Sequence, residues 1–205
     1  MPADGLSLRM RDTENTIVLT GGSGKVGSRI KKTLETLGFE VIKPNFLLEY
    51  KDNICCLVNC AAMFEKGNLR DTENLLECMQ VNDFMPARLS QEYAKVVGKG
   101  SVINILDGNI YRFNENYQNY RISKLFLQEI TRQSALLFAP DIRVNAIAFG
   151  MLEETLNESN SRALQKEILK KKVTDESISS TLEFLLRSEN ITGQTIYLDN
   201  GVHLL

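Results

Sequence analysis

The chain of 205 residues has no tryptophan, a single histidine and only four prolines. It also has no excess of basic charge, because 24 Lys and Arg residues stand against 26 Asp and Glu residues, for a formal charge of -2. Nothing in this balance would attract nucleic acid, which is therefore not an expected partner. No apolar run approaches the ~18 residues that a membrane span requires, and the polar start lacks the order of a signal peptide. We expect a cytoplasmic protein with no membrane partner, a flexible tail over residues 1–15 and a single domain over 16–205.

Metal ligands are scarce as well. Cys55, Cys56, Cys60 and Cys78 lack the paired C-x-x-C spacing of a zinc site, and the first three lie in or just after an apolar run. Buried free thiols are the better interpretation. His203 stands alone near the C-terminus. We predict no metal site.

The hydrophobic pattern alternates between strands and helices. It predicts strands at 16–20, 39–42, 54–58, 101–106, 142–148 and 194–198, and helices at 26–37, 72–97, 118–138, 160–172 and 175–188. This alternation is typical of a three-layer, Rossmann-like α/β fold with a doubly wound parallel sheet. Residues 43–53 are too few for two crossovers with an additional strand. We therefore predict a sheet of about six strands in the order 2-1-3-4-5-6.

A glycine-rich turn, TGGSGKVG at residues 20–27, joins the first strand to the first helix. Glycines at such a turn let the backbone approach a pyrophosphate, and the positive end of the following helix favours the anion. A tight turn that merely packs well is the alternative interpretation. Because the turn opens a β-α-β pattern, we predict nucleotide binding.

The residues after the second strand bear on the choice of cofactor. A preference for NADH normally places Asp or Glu there, whereas this chain has Lys43-Pro44-Asn45. Lys43, together with Lys25 in the turn, could bind a 2′-phosphate, which favours NADPH over NADH. Alternatively, both lysines are solvated surface residues.

Tyr120 and Lys124 are spaced to lie on one face of a predicted helix. A nearby ammonium group would stabilise the phenolate, so we expect a lowered pKa for Tyr120. The spacing alone is also common on exposed helices, and its interpretation depends on the rest of the sequence.

Several motifs occur in one order along the chain: the glycine turn, VNCAA at 58–62, Asn82, NILD at 104–107 and the Tyr120–Lys124 pair. The set resembles the short-chain dehydrogenase/reductase family over roughly residues 16–205. The closer resemblance is to its pteridine reductase and dihydromonapterin reductase branch. Asp107 stands where most of the family has a catalytic serine, Lys25 is a basic residue in the turn, and Phe64 is an aromatic shortly after the Asn-x-Ala turn.

The resemblance implies NADPH-dependent reduction of a C=N bond in a dihydropterin or dihydrofolate. It implies that Asp107 delivers a proton, that Tyr120 and Lys124 resupply it, and that Asn82 kinks its helix and holds a relay water. Phe64 would stack on the pterin ring, next to Asp107 and Tyr120. The cofactor would be held by Gly21, Ser23, Lys25, Val26, Lys43, Asn59, Ala61, Lys124 and Gly150. The family assembles through its two long helices, so a homodimer or homotetramer is expected.

Some features depart from the family pattern. Its usual third strand and following helix are missing, which shortens the adenine side of the cofactor pocket, and Phe149 replaces the usual proline before Gly150. Asp107 could be an ordinary turn residue, and Phe64 could belong to the core. Two other functions therefore stay open: reduction of a ketone or enone with Asp107 only orienting the substrate, and a cofactor-poor scaffold.

Overall fold

The computed structural model describes residues 15–153 and 168–205. The predicted tail, apart from Asn15, and most of the predicted helix over 160–172 lie outside these ranges. In the described ranges, no helix combines the length and the apolar character needed to cross a membrane.

Six parallel strands form one sheet within the described residues, in the order β2-β1-β3-β4-β5-β6. The strands are β1 (Thr16–Leu19), β2 (Glu40–Ile42), β3 (Ile54–Asn59), β4 (Gly100–Asp107), β5 (Ile142–Phe149) and β6 (Thr195–Leu198). The helices are α1 (Lys25–Thr36), α2 (Thr72–Met79), α3 (Met85–Val96), α4 (Gln118–Leu137) and α5 (Asp175–Arg187). The predicted strand order and the α/β class are confirmed.

The sheet is covered on both faces, which explains why its central strands are apolar along their whole length. On one face α1 packs against α5, burying Ile30 and Leu182 against the sheet. On the other face lie α3 and α4, which bury Tyr93, Leu127 and Ala135. These layers leave the carboxyl ends of the strands open, where ligands bind in folds of this type.

The connection from β2 to β3 contains no helical crossover of full length. Residues 43–53 form one short 3₁₀ turn, Pro44–Phe46, followed by further turns, with Leu47 buried beneath them. Both β2 and β3 pair directly with β1. The chain thus reverses its direction of winding between β1 and β3, and the open crevice lies at this switch point.

The single long helix predicted over 72–97 is wrong in one respect. A π-helical segment, Gln80–Phe84, separates α2 from α3. Pro86 has no N–H for the carbonyl of Asn82 four residues earlier, so a regular α-helical ladder cannot continue there. Asn82 lies inside this irregular segment, as the predicted kink requires.

Candidate active site

A cleft at the carboxyl ends of β1, β3 and β4 consists of two cavities. The first has a volume of about 910 Å³ and the second about 790 Å³. Both are bordered by Gly21, Ser23 and Ala61, so they meet at the glycine turn. A ligand could therefore extend across the turn from one cavity to the other.

The turn brings the ends of β1 and β3 into close contact. Gly21 has a φ of +67°, and a Cβ atom there would lie 2.6 Å from the Cα atom of Ala61. Thr20 Oγ1 accepts hydrogen bonds from the backbone N–H groups of Cys60 and Ala61, each at 2.9 Å. Only glycine fits at position 21, because both the backbone angle and the space exclude a side chain.

The start of α1 differs from the starts of α2 and α5. Helix α2 is capped by the side chain of Asp71 and α5 by that of Thr174. Helix α1 begins after Gly24 with no side-chain cap from the described residues and no acidic side chain in its first turn. Its first N–H groups can therefore donate hydrogen bonds to a phosphate, which the positive end of the helix dipole also attracts. The turn thus fits the pyrophosphate of a dinucleotide.

Tyr120 and Asp107 meet in the second cavity. The phenol of Tyr120 donates a hydrogen bond to Asp107 Oδ2 at 3.3 Å. The other carboxylate oxygen, Oδ1, accepts from the backbone N–H of Asn109 at 2.7 Å. Asp107 thus stabilises the turn after β4, as an ordinary turn residue would, and also contacts the tyrosine.

Phe64 borders the same cavity and is 60% exposed, so the alternative that it belongs to the core is wrong. Its ring stacks on Tyr117, with centroids 4.8 Å apart, and meets Tyr120 edge-on at 4.7 Å. The three rings form a wall that could pack against a flat substrate.

Lys124 lies behind this wall and is 2% exposed. Its Nζ donates to the carbonyl oxygen of Ile105 at 2.9 Å, and burial lowers its pKa. Burial, followed by the negative charge of Asp107, raises the pKa of Tyr120 well above its ordinary value. The predicted lowering of the Tyr120 pKa is therefore wrong for this structure, because burial and the adjacent carboxylate outweigh the opposing charge of Arg121.

Asn82 holds the loop that carries Phe64. Its Oδ1 accepts from the backbone N–H of Met63 at 2.8 Å, and its Nδ2 donates to the carbonyl of Met63 at 3.1 Å. Nδ2 also donates to Ser123 Oγ at 2.8 Å, which ties the π segment to the first turns of α4. Asn82 therefore fixes the position of this loop relative to Tyr120.

The other predicted residues divide between the two cavities. Lys43 and Asn59 border the first cavity, whereas Lys25, Val26, Gly150, Phe64, Asp107 and Tyr120 border the second. Lys25 and Lys43 therefore do not lie in one cavity. The lysine that borders the first cavity together with Lys43 is Lys31. The amide of Asn59 donates to Asn104 Oδ1 at 2.9 Å inside the sheet, so this side chain supports the floor of the cleft.

Two arginines of the second cavity, Arg112 and Arg121, are absent from the predicted site. Arg121 follows Tyr120 directly, and Arg112 lies in the loop between β4 and α4. The available signal was their position among the predicted functional residues: Arg112 lies between Asp107 and Tyr120, and Arg121 between Tyr120 and Lys124. The four cysteines are buried free thiols, as predicted. Burial raises the pKa of Cys60 to about 11.

The family model described as enoyl-(acyl carrier protein) reductase, which represents short-chain dehydrogenases/reductases, matches residues 45–203. The chain belongs to this family. Short-chain dehydrogenases/reductases with the same fold include the FolM alternative dihydrofolate reductases 1 of Brucella canis and Brucella suis, both solved with NADP. They share 25% and 26% sequence identity with this chain and have a TM-score of 0.82 each. The alignment with the B. canis protein covers 93% of this chain and 94% of that protein. The alignment with the B. suis protein covers 94% of this chain and 97% of that protein.

A dihydromonapterin reductase of Escherichia coli (strain 536) is 29% identical over 152 residues, which are 70% of this chain. The alignment spans 63% of that relative's length, just under two thirds. The resemblance to the short-chain family that the motifs indicate is confirmed.

Proposed function

We propose that this short-chain family member uses NADPH to reduce the C=N bond of a dihydropterin or dihydrofolate. The observation that carries the proposal is the hydrogen bond from the Tyr120 phenol to Asp107 in a cavity that begins at the glycine turn. A carboxyl group can both protonate a ring nitrogen and accept from an amino group, and a pterin offers both. The names of the E. coli and Brucella relatives support the same substrate class.

The cofactor would lie across the glycine turn. Its pyrophosphate would contact the uncapped start of α1 near Ser23, Lys25 and Val26. The adenosine part would occupy the first cavity, where Lys43 could contact a 2′-phosphate. The nicotinamide end would enter the second cavity near Ala61 and Gly150, and when bound it supplies the hydride.

The chain's own residues would move the proton. In its protonated form Asp107 would give its proton to the ring nitrogen and become the carboxylate that accepts from Tyr120. A proton from solvent, passed on through the Tyr120 phenol, would then restore the carboxyl group, so that the phenol ends the cycle protonated. Because burial keeps Tyr120 protonated, it acts here as a proton donor rather than as a phenolate base. Lys124 would favour a transient negative charge on Tyr120. Its side chain borders neither cavity, so the predicted contact with the nicotinamide ribose would require Nζ to leave the carbonyl of Ile105.

We further propose that the protein is a cytoplasmic homodimer or homotetramer. Exposed apolar side chains occur on the helices that would form the interface: Leu76, Phe84, Met85 and Phe126. A second copy of the chain would remove these side chains from water. The four free thiols are consistent with a reducing compartment.

The test is a steady-state assay of dihydromonapterin, dihydrobiopterin and dihydrofolate with NADPH and with NADH, together with calorimetry of both cofactors. We expect NADPH binding and substrate-dependent loss of its absorbance. Turnover of ketones or enones but of no pterin would instead identify a carbonyl or enone reductase. Absence of heat and of a thermal shift with either cofactor would support the scaffold alternative.

A further inference from the structure

Two arginines beside Asp107 have no task in the chemistry described above. We propose that Arg112 and Arg121 form an anion-binding subsite of the second cavity, and that the preferred substrate is a pteridine whose side chain carries a carboxylate or a phosphate. This inference rests on the proposed function, because it specifies the substrate of the same site. It adds a binding element that neither the motifs nor the relatives' names indicate.

The two arginines approach the cavity from different elements. Arg112 closes the turn after β4, where its backbone N–H donates to the carbonyl of Asn109 at 3.0 Å. Arg121 lies in the first turn of α4, immediately after Tyr120. Both side chains border the cavity that holds Asp107. They are close enough to influence each other, because burial and Arg112 both lower the pKa of Arg121, whereas Asp107 raises it.

Neither guanidinium group has an ion pair or a side-chain hydrogen bond with the residues that the structure describes. The Nη1 atom of Arg121 is buried and has no partner there. Other arginines of the chain are paired: Arg132 contacts Glu129 at 2.7 Å, and Arg187 contacts Glu183 at 2.6 Å. A guanidinium group has five donors in a fixed planar arrangement, so two unpaired guanidinium groups at the border of one cavity can together bind an acceptor that a ligand supplies.

The charges of the cavity also require an additional anion. Among the described residues, its border contains three cationic side chains, Lys25, Arg112 and Arg121, and one carboxylate, that of Asp107. Both oxygens of Asp107 already accept hydrogen bonds, from Asn109 and Tyr120. Lys25, at the start of α1, lies beside the proposed pyrophosphate position. A neutral pterin would leave both arginines without a counter-charge, whereas a carboxylate or phosphate matches their bidentate geometry.

The position of the arginines agrees with the structure of such a substrate. In 7,8-dihydrofolate the carbon atom of the reducible C=N bond also carries the side chain that ends in carboxylates. The side chain therefore leaves the ring at the reacting edge, which would face Tyr120 and Asp107. Arg112 lies in the loop between Asp107 and Tyr120, Arg121 follows Tyr120 directly, and all four residues border one cavity, so the same edge leads to the subsite.

The experiment compares three substrates in the wild type, Arg112→Gln and Arg121→Gln. The substrates are dihydrofolate, a dihydropterin phosphate ester, and dihydromonapterin, whose side chain is neutral. The matched control is Arg132→Gln, which removes an exposed arginine from the same helix, α4. We expect each cavity variant to raise KM for an anionic substrate by about tenfold or more, because a charge-assisted hydrogen bond is lost. KM for dihydromonapterin should change by less than about twofold, and Arg112→Lys should restore part of the loss.

The preference between the two anionic substrates tells whether the subsite takes carboxylate or phosphate. Equal losses for the neutral and the anionic substrates, or a wild-type preference for dihydromonapterin, would overturn the inference and leave the proposed function intact. If the wild type binds NADPH but reduces none of the three substrates, the proposed function itself is wrong and the inference falls with it.

Discussion

The two cavities of the cleft are built on very different parts of the sheet. The second cavity lies at the ends of β4 and β5, which are eight residues each and pair over their full length. Its polar side chains, Asp107 and Tyr120, hold each other by a hydrogen bond. The first cavity lies beside β2, a strand of three residues at the edge of the sheet, and its border is mainly apolar.

Because of this difference, the proposed proton transfer and the affinity for the cofactor depend on different parts of the sheet. The pairing of β4 with β5 fixes the groups proposed to transfer the proton, so this part of the cleft depends little on the shortened edge. On the adenine side, the connection over residues 43–53 replaces a strand and a helix, and fewer elements surround a cofactor. The affinity for the cofactor should therefore depend on the glycine turn and on a few lysines. Tyr120→Phe and Lys43→Gln should each affect one side of the cleft, whereas Gly21→Ala should affect both.

Tyr120→Phe should have the largest effect of these changes. It should lower turnover, which depends on the second cavity, and leave cofactor binding largely unchanged. Loss of the phenol removes the proton that Asp107 receives, so we expect turnover to fall by about 100-fold or more. The dissociation constant for NADPH should stay within about threefold, because the ring and its packing remain. Steady-state kinetics and calorimetry measure the two quantities, and Tyr111→Phe, which removes an exposed phenol bonded to Gln128, is the control. Unchanged turnover in Tyr120→Phe would exclude the phenol from the proton path.

Gly21→Ala should damage both cavities, because Gly21 lies where they meet. The new methyl group would lie 2.6 Å from the Cα atom of Ala61 and would also force a positive φ on alanine. We expect NADPH affinity to fall by about tenfold or more and the free energy of unfolding to fall by roughly 2–4 kcal/mol.

Gly38→Ala separates the effect of the positive φ from the effect of the close contact with Ala61. Gly38 has a φ of +91°, but a methyl group added at this position would have no atom of the described residues within 4 Å. This variant should lose only about 1 kcal/mol of stability and keep its NADPH affinity. If both variants lose the same stability and neither loses affinity, the close approach at Gly21 has no role in binding.

Asp83→Asn tests a buried carboxyl group of the π segment that is influenced by the charge of Lys124. Asp83 lies in the π segment with 0% exposure, and neither of its carboxylate oxygens has a hydrogen-bond partner among the described residues. Burial raises the pKa of Asp83 from 3.8 to about 7, although the charge of Lys124 opposes the change. The folded protein thus binds a proton that the unfolded chain has already lost between about pH 4 and pH 7. Its stability should fall as the pH rises through this window and stay low above it.

Asparagine removes this penalty without a change in size. The gain in unfolding free energy of Asp83→Asn over the wild type should be larger at pH 8 than at pH 5 by roughly 2–3 kcal/mol. Chemical denaturation at both pH values measures it, with Asp52→Asn in an exposed turn as the control. A gain that is independent of pH would show that Asp83 does not titrate in this range.

The sequence was sufficient for the topology but not for the environment of the site. The length of the 43–53 connection predicts the strand order, because the reach of the chain limits what can be inserted there. The kink at Asn82 is instead predicted by the resemblance to the short-chain family. The raised pKa of Tyr120 and the hydrogen bond from Lys124 to Ile105 depend on burial by distant segments. The spacing of residues in the sequence does not indicate which side chains distant segments will bury. For the same reason the sequence grouped Lys25 with Lys43, although the turn directs them to different cavities.

Lys43→Gln should have the smallest effect, and only on the adenine side. Lys43 is exposed at the border of the first cavity, so its contact with a 2′-phosphate is screened by water and should contribute only about 1 kcal/mol. We expect its loss to weaken NADPH binding by about three- to tenfold and to leave NADH binding unchanged. Lys25→Gln should instead weaken both cofactors to a similar degree, because both carry the pyrophosphate. Calorimetry at low ionic strength resolves the two patterns, and an equal loss of NADPH and NADH in Lys43→Gln would assign the choice of cofactor to another residue, with Lys31 the next to test.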